Sequence, residues 1–228
     1  MTELDSAPDE TPRFDVVEAL KVTRVFGATR ALAGVSLSFR AGEVTSVEGG
    51  NGAGKSTLLN VLATLLRPTA GDVRYGEYTL SADRMMLRAS IGLVGHEAMV
   101  YPDLTARESL AFMARLHGRR DADLAGALAR VGLKEIADRP ARTYSRGQMQ
   151  RLALARAELH DPSLLLFDEP TTGLDAAATR RLEAAIEAAR SRGRVVVLVT
   201  HDHAFASRVA TVRVTMERGR VREVVRSG

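Results

Sequence analysis

Short apolar runs, each closed by glycine or by carboxylates, alternate along this chain with stretches of helical period, which is the pattern of an α/β fold. Glu43 to Val47, Ile91 to Val94, Ser163 to Phe167 and Arg194 to Val199 read as buried strands. Strands apolar on both faces belong in a parallel sheet covered on both sides. From Phe14 to Arg40 the pattern alternates instead, and Val16 to Val22 with Ala33 to Phe39 are predicted to form a small antiparallel sheet, with another strand at Gly71 to Tyr75. A helix is predicted from Lys55 to Leu65, stopped by Arg67-Pro68. Thr105 to Leu159 reads as an all-helical insertion, with Leu104, Leu110, Phe112, Met113 and Leu116 on one apolar face and Leu124, Leu128, Val131 and Leu133 on another.

The break after the first buried strand carries chemistry. Gly49-Gly50-Asn51-Gly52-Ala53-Gly54-Lys55-Ser56-Thr57 lies between a strand and an apolar helix and fits G-x-x-x-x-G-K-[ST]. In that setting the glycines let successive N–H groups point inward, and the helix N-terminus adds partial positive charge, so a triphosphate fits. Lys55 would reach the β- and γ-phosphates and Ser56 would place its hydroxyl on magnesium. Only Lys21, Lys55 and Lys134 among the 32 basic residues are lysine, so position 55 departs from a strong arginine habit. A compact ammonium sits inside a ring of backbone groups where a guanidinium fork is too wide.

Two more strand ends point to the same place. Asp168 and Glu169 close an apolar strand, and ligands of open α/β sheets bind beyond the carboxyl ends of strands. Asp168 is expected to hold magnesium, largely through water, and Glu169 to orient or deprotonate the water that attacks the γ-phosphate. His201, just past Val199, is expected to donate a hydrogen bond to that phosphate. Tyr144 to Arg151 opens a long helix with Ser145 as N-cap and Gly147 allowing close backbone approach, either an ordinary cap or a second anion-seeking helix start. Phe26, in the turn before Gly27, is either a core aromatic or a ring for an adenine to stack on.

Composition narrows the classes. With 228 residues, 45% of them hydrophobic, the chain can build one sizeable domain with an inserted lobe. Its 32 basic against 28 acidic residues, net +4, and its 4% aromatic content make no case for nucleic acid. No cysteine is present, so disulfides and thiolate chemistry are excluded. The longest apolar runs fall far short of the roughly 20 residues that span a bilayer. Met1 to Asp15 is acidic and proline-bearing and resembles a disordered tail rather than an export signal, which leads to an expected cytoplasmic location.

Taken in order, these residues resemble the ATP-binding-cassette ATPases over Phe14 to Val225: an aromatic loop at Phe26, the phosphate loop Gly49 to Thr57, a signature at Tyr144 to Gln148, Leu164 to Asp168, Glu169, the loop Thr172-Gly173-Leu174-Asp175 and His201. The resemblance implies an α/β fold with a RecA-like P-loop NTPase core, an antiparallel β lobe and a helical subdomain at about 95–160, within one nucleotide-binding domain at 14–228 behind a tail at 1–13. It implies ATP and Mg2+ as ligands, with Phe26, Gly49, Asn51, Gly52, Ala53, Gly54, Lys55, Ser56, Thr57, Ser145, Gly147, Gln148 and Asp175 around the nucleotide, Ser56 and Asp168 on the metal, and Lys55, Glu169 and His201 in catalysis.

It further implies a head-to-tail dimer, most simply of two identical chains, in which Ser145 and Gly147 of one copy cover the nucleotide of the other. Integral membrane permease subunits would bring it to the inner face of the cell membrane. Within the family, Val47-Glu48-Gly49, Val94-Gly95-His96, Tyr101 to Leu110 and Tyr144 to Gly147 are similar to the haem-exporter ATPase of cytochrome c maturation. Drug or lipid exporters share close variants of Tyr101 to Leu110, and a soluble assembly or repair ATPase would use the same engine. Two departures stand out: His96 replaces a glutamine, with Glu97 as a possible substitute, and Arg146 replaces the first glycine of the signature pair.

Overall fold

In the computed structural model, which describes residues 11–95 and 99–226, the alternating N-terminal stretch forms β1 (Val16–Phe26) and β2 (Thr29–Arg40), paired antiparallel. The apolar run that follows is β3 (Val44–Glu48), and the glycine loop leads from it into α1 (Lys55–Leu62). Next come β4 (Ala70–Tyr75), β5 (Tyr78–Thr79), α2 (Leu80–Leu87) and β6 (Ile91–Val94). The helical lobe holds α3 (Ala106–Leu116), α4 (Leu124–Arg130) and α5 (Arg146–Glu158). The chain then re-enters the core through β7 (Leu164–Asp168), α6 (Ala176–Ser191), β8 (Val195–Val199), α7 (His203–Val209), β9 (Val212–Glu217) and β10 (Arg220–Arg226).

Two sheets result, one of four strands in the order β2-β1-β4-β5 and one of six in the order β10-β9-β3-β8-β7-β6. The run β9-β3-β8-β7-β6 is parallel throughout, and β10 closes the edge antiparallel to β9. Because side chains alternate along a strand, each central strand feeds two cores. Leu164, Leu166, Val195 and Val197 join α1 and the antiparallel sheet on one side. Leu165, Phe167, Val196 and Leu198 join α5, α6 and α7 on the other. That double burial is why these strands contain no outward polar face. A third core, of Leu110, Leu128, Leu133 and Leu152 with alanines, holds the helical lobe together.

The structure shifts several expected boundaries. The helix predicted to Leu65 ends at Leu62, because Thr64 turns to φ 60° and the N–H groups of Leu65 and Leu66 both return to Asn60 O. The buried Tyr75 hydroxyl donates to Leu62 O at 2.8 Å, satisfying a carbonyl that the early end would orphan. On α3 the buried stripe is Ala106, Ser109, Leu110 and Ala114, so Phe112 and Leu116, expected inside, are exposed. Spacing selects the stripe there, and small residues let α4 and α5 approach. Packing begins slightly before Phe14: Pro12 O accepts from Ser90 Oγ and Arg13 pairs with Asp161. Residues 1–10, and His96 and Glu97, lie outside the described residues.

α5 crosses β6 at Gly92, where an added Cβ would stand 2.3 Å from Ala157 O and 2.7 Å from a Leu165 methyl. Backbone cannot yield there as a flexible side chain would. Gly92→Ala is expected to cost about 1–3 kcal/mol, read as a lower denaturant midpoint with unchanged slope.

Candidate active site

Three neighbouring parallel strands, β3, β8 and β7, end on the same side of the sheet, and each releases a loop from its carboxyl end. The loop after β3 depends on its glycines. A Cβ on Gly49 (φ 148°) would lie 2.2 Å from Met216 O, and one on Gly54 (φ 99°) 2.5 Å from Ala31 O. No side chain caps α1 and its first turn holds no acid, so its leading N–H groups are left for an anion from outside. Lys55, nearly buried, donates from Nζ to Gly49 O at 2.7 Å and Gly50 O at 3.2 Å, which folds the ammonium across the loop. Asn51 and Gly52 are exposed at the rim, Ala53 is buried beneath them, and Ser56 and Thr57 continue into α1.

Ser56 Oγ lies 3.5 Å from Asp168 Oδ1, at the end of β7. Among the described residues no group of three or more His, Cys, Asp or Glu side chains could hold a metal alone. One hydroxyl and one carboxylate instead suit magnesium, which keeps several waters and takes its other ligands from phosphates. The residues present therefore fit that ion as a companion of a nucleotide.

Glu169 follows with φ 49°, a left-handed conformation that costs a residue with a side chain on the order of 1–3 kcal/mol. The neighbouring strand holds it there, since Glu169 N donates to Val199 O at 2.8 Å. The next loop closes on its carboxylate: His201 N donates to Glu169 Oε2 at 3.2 Å, and His201 Nδ1 lies 2.8 Å from the same oxygen. The imidazole is otherwise largely exposed. Gln150 of α5 donates to Pro170 O, tying the helical lobe to the segment beyond Glu169.

The second helix start takes the expected form. Ser145 Oγ accepts from Gln148 N, and Gln148 Oε1 accepts from Ser145 N, a reciprocal cap. A Cβ on Gly147 would meet nothing closer than Ala178 Cβ at 3.8 Å, so packing within the chain places no demand for glycine there. Arg146 lays its side chain against Gly173, at φ 72°, which is where the extra bulk in the signature goes. Asp175 caps α6, accepting from Ala178 N at 2.7 Å. Phe26 ends β1 beside the turn at Gly27, half-exposed, with the Arg24 guanidinium 4.5 Å from its ring centre.

The structure adds a cluster that the strand pattern did not announce. Glu48, the last residue of β3, is buried and accepts from Arg213 Nε and Nη2 at 2.8 and 2.9 Å, from Ser46 Oγ at 2.9 Å and from His203 Nδ1 at 2.5 Å. The Arg213 hydrogen bonds, joined by those from His203 and Ser46, outweigh desolvation and hold the carboxyl at about 2. A charged residue closing an otherwise uncharged strand was the one visible signal of it.

A family model described as ABC transporter matches residues 32–172. The chain is 40% identical over 189 residues to the cytochrome c biogenesis ATP-binding export protein CcmA 2 of Cupriavidus metallidurans, covering 82% of this chain and 90% of that one. It is 38% identical over 230 residues to the lipoprotein-releasing system ATP-binding protein LolD 1 of Caulobacter vibrioides, covering 93% and 97%. Among solved structures it superposes on a dimeric bacterial ABC transporter cassette with TM-score 0.84 at 28% identity, over 93% of this chain and 99% of that chain. The same cassette in a post-hydrolysis state bound to ADP and Pi gives the same TM-score.

Proposed function

The chain belongs to the ABC transporter family as an ATP-binding, ATP-hydrolysing subunit, and we propose that two copies of it clasp ATP head to tail and drive a membrane exporter. The observation that carries this reading is the convergence of the Lys55 loop, Asp168 with Glu169, and His201 on three adjacent strand ends. The phosphates lie against the loop N–H groups and Lys55, Gly49 and Gly54 give the loop its curl, and Phe26 stacks on the adenine. Ser56 and Asp168 would hold magnesium, which when bound would supply positive charge against the phosphates.

Glu169 accepts the proton of the attacking water as its oxygen bonds to the γ-phosphorus and the bond to ADP breaks. His201 orients that carboxylate through its backbone N–H. The His201 imidazole, largely exposed beside that carboxylate, donates a hydrogen bond to the γ-phosphate. Ser145 and Gly147 cover the ATP of the other copy, with Gln148 holding Ser145 and Asp175 holding the loop before α6. The glycine at 147, which nothing inside the chain requires, supports this placement.

Among the described residues no helix is long and apolar enough to cross a membrane, so transport needs integral permease subunits. Leu65, Met99 and Met113, in the groove between the core and the helical lobe, offer them an apolar seat beside exposed Phe112 and Leu116. Membrane contact then passes through the permease, on the cytoplasmic face.

The proposed cargo is haem for cytochrome c biogenesis, supported by the Cupriavidus relative and by the segments Val47 to Gly49 and Tyr144 to Gly147. Release of lipoproteins is the second reading, favoured by the larger share of the chain that the Caulobacter relative spans. Deleting the gene in its source organism is expected to remove covalently haem-stained c-type cytochromes from membranes, with rescue by the wild-type chain and not by Glu169→Gln. Undiminished haem staining would overturn the cargo, and purification without any integral membrane protein would overturn the transporter.

A further inference from the structure

The Glu48 cluster joins the root of the phosphate loop to the start of the helix that follows His201. Glu48 immediately precedes Gly49, and His203 opens α7 two residues after His201. Within that short stretch Asp202 N donates to Thr200 Oγ1, the Asp202 side chain accepts from Phe205 N, and Phe205 is wholly buried. The position of the His203 backbone therefore constrains that of His201, whose N–H holds Glu169.

Arg213 already neutralises Glu48 with two hydrogen bonds, and Ser46 adds one to Oε1. The His203 ring is 70% exposed, so it fills little of the core. What its bond to Glu48 Oε2 does is join two segments 155 residues apart in sequence. We propose that His203 and Glu48 are positioning residues for ATP hydrolysis, a latch that holds the His201 loop in register with the phosphate loop and so keeps Glu169 aimed at the attacking water.

The inference rests on the role given to His201 above, and the test separates the two. Misplacing a catalytic group by about 1 Å can cost roughly 10²-fold. Removing one of several tethers, in His203→Ala, is expected to lower kcat by about tenfold with the KM for ATP changed by less than about twofold. His203→Asn, whose amide N–H can reach Glu48, is expected to recover most of the loss. In a Glu169→Gln background, His203→Ala is expected to remove no further activity, because the latch acts by aiming the Glu169 carboxylate.

An unchanged kcat in His203→Ala, with or without a fall in thermal stability, overturns the latch. So does a full multiplicative loss in the double variant. Full turnover in His201→Ala alone would instead remove the role assigned to His201, whatever His203 does.

Discussion

Glu169→Gln is expected to lower ATP turnover by roughly 10²–10⁴-fold while ATP binding survives. The amide keeps the size and one acceptor of the carboxylate, so His201 N–H still has a partner, but it cannot take a proton from water. Binding without hydrolysis should leave two copies closed on ATP. Phosphate release measures the first effect, and size-exclusion chromatography with and without ATP the second, as a shift from monomer to dimer. Turnover equal to wild type would show that another group accepts the proton. A monomer in saturating ATP would count against the shared site.

The other large effect belongs to Lys55. Lys55→Ala removes the ammonium that lies across the loop carbonyls and is expected to reduce kcat/KM by at least roughly 10²–10³-fold, the scale for deleting one preorganised charge donor at a site of developing negative charge. Unlike Glu169→Gln, it should also weaken binding, seen as loss of fluorescent-ATP affinity. Lys55→Arg should restore little, because a planar guanidinium fork is too wide for the ring of backbone groups that holds a compact ammonium. Wild-type kcat/KM in Lys55→Arg would show that the loop needs only charge at this position.

These expectations draw on residues whose placement was legible from local pattern. Gly49 and Gly54 lie where the backbone must take positive φ and where another backbone passes too close for a Cβ, so their chemistry is local and readable. Ser145 with Gln148 is likewise a cap written over four residues, and the structure builds it with both hydrogen bonds. Less was legible where neighbours decide. Nothing near Thr64 announces that α1 stops at Leu62; the Tyr75 hydroxyl that supports this end comes from β4. The buried face of α3 differs from the expected one at Phe112 and Leu116, because apolar spacing counts large side chains as core, whereas the close packing of the lobe selects Ala106 and Ala114. The short helix α2 and the β9–β10 hairpin, too brief or too charged to stand out, were not anticipated at all.

By itself the sequence determined the α/β class, the strands that carry the site, and the residue types available at each strand end. Those follow from periodicity and from backbone chemistry, which act over a few residues. Tertiary structure alone decided that Glu169 adopts a left-handed backbone under Val199, that His201 closes on its carboxylate, and that Glu48 gathers Arg213 and His203 from more than 150 residues away. A buried carboxylate needs partners, but which distant residues supply them depends on the order in which strands lie side by side, and no local pattern encodes that order.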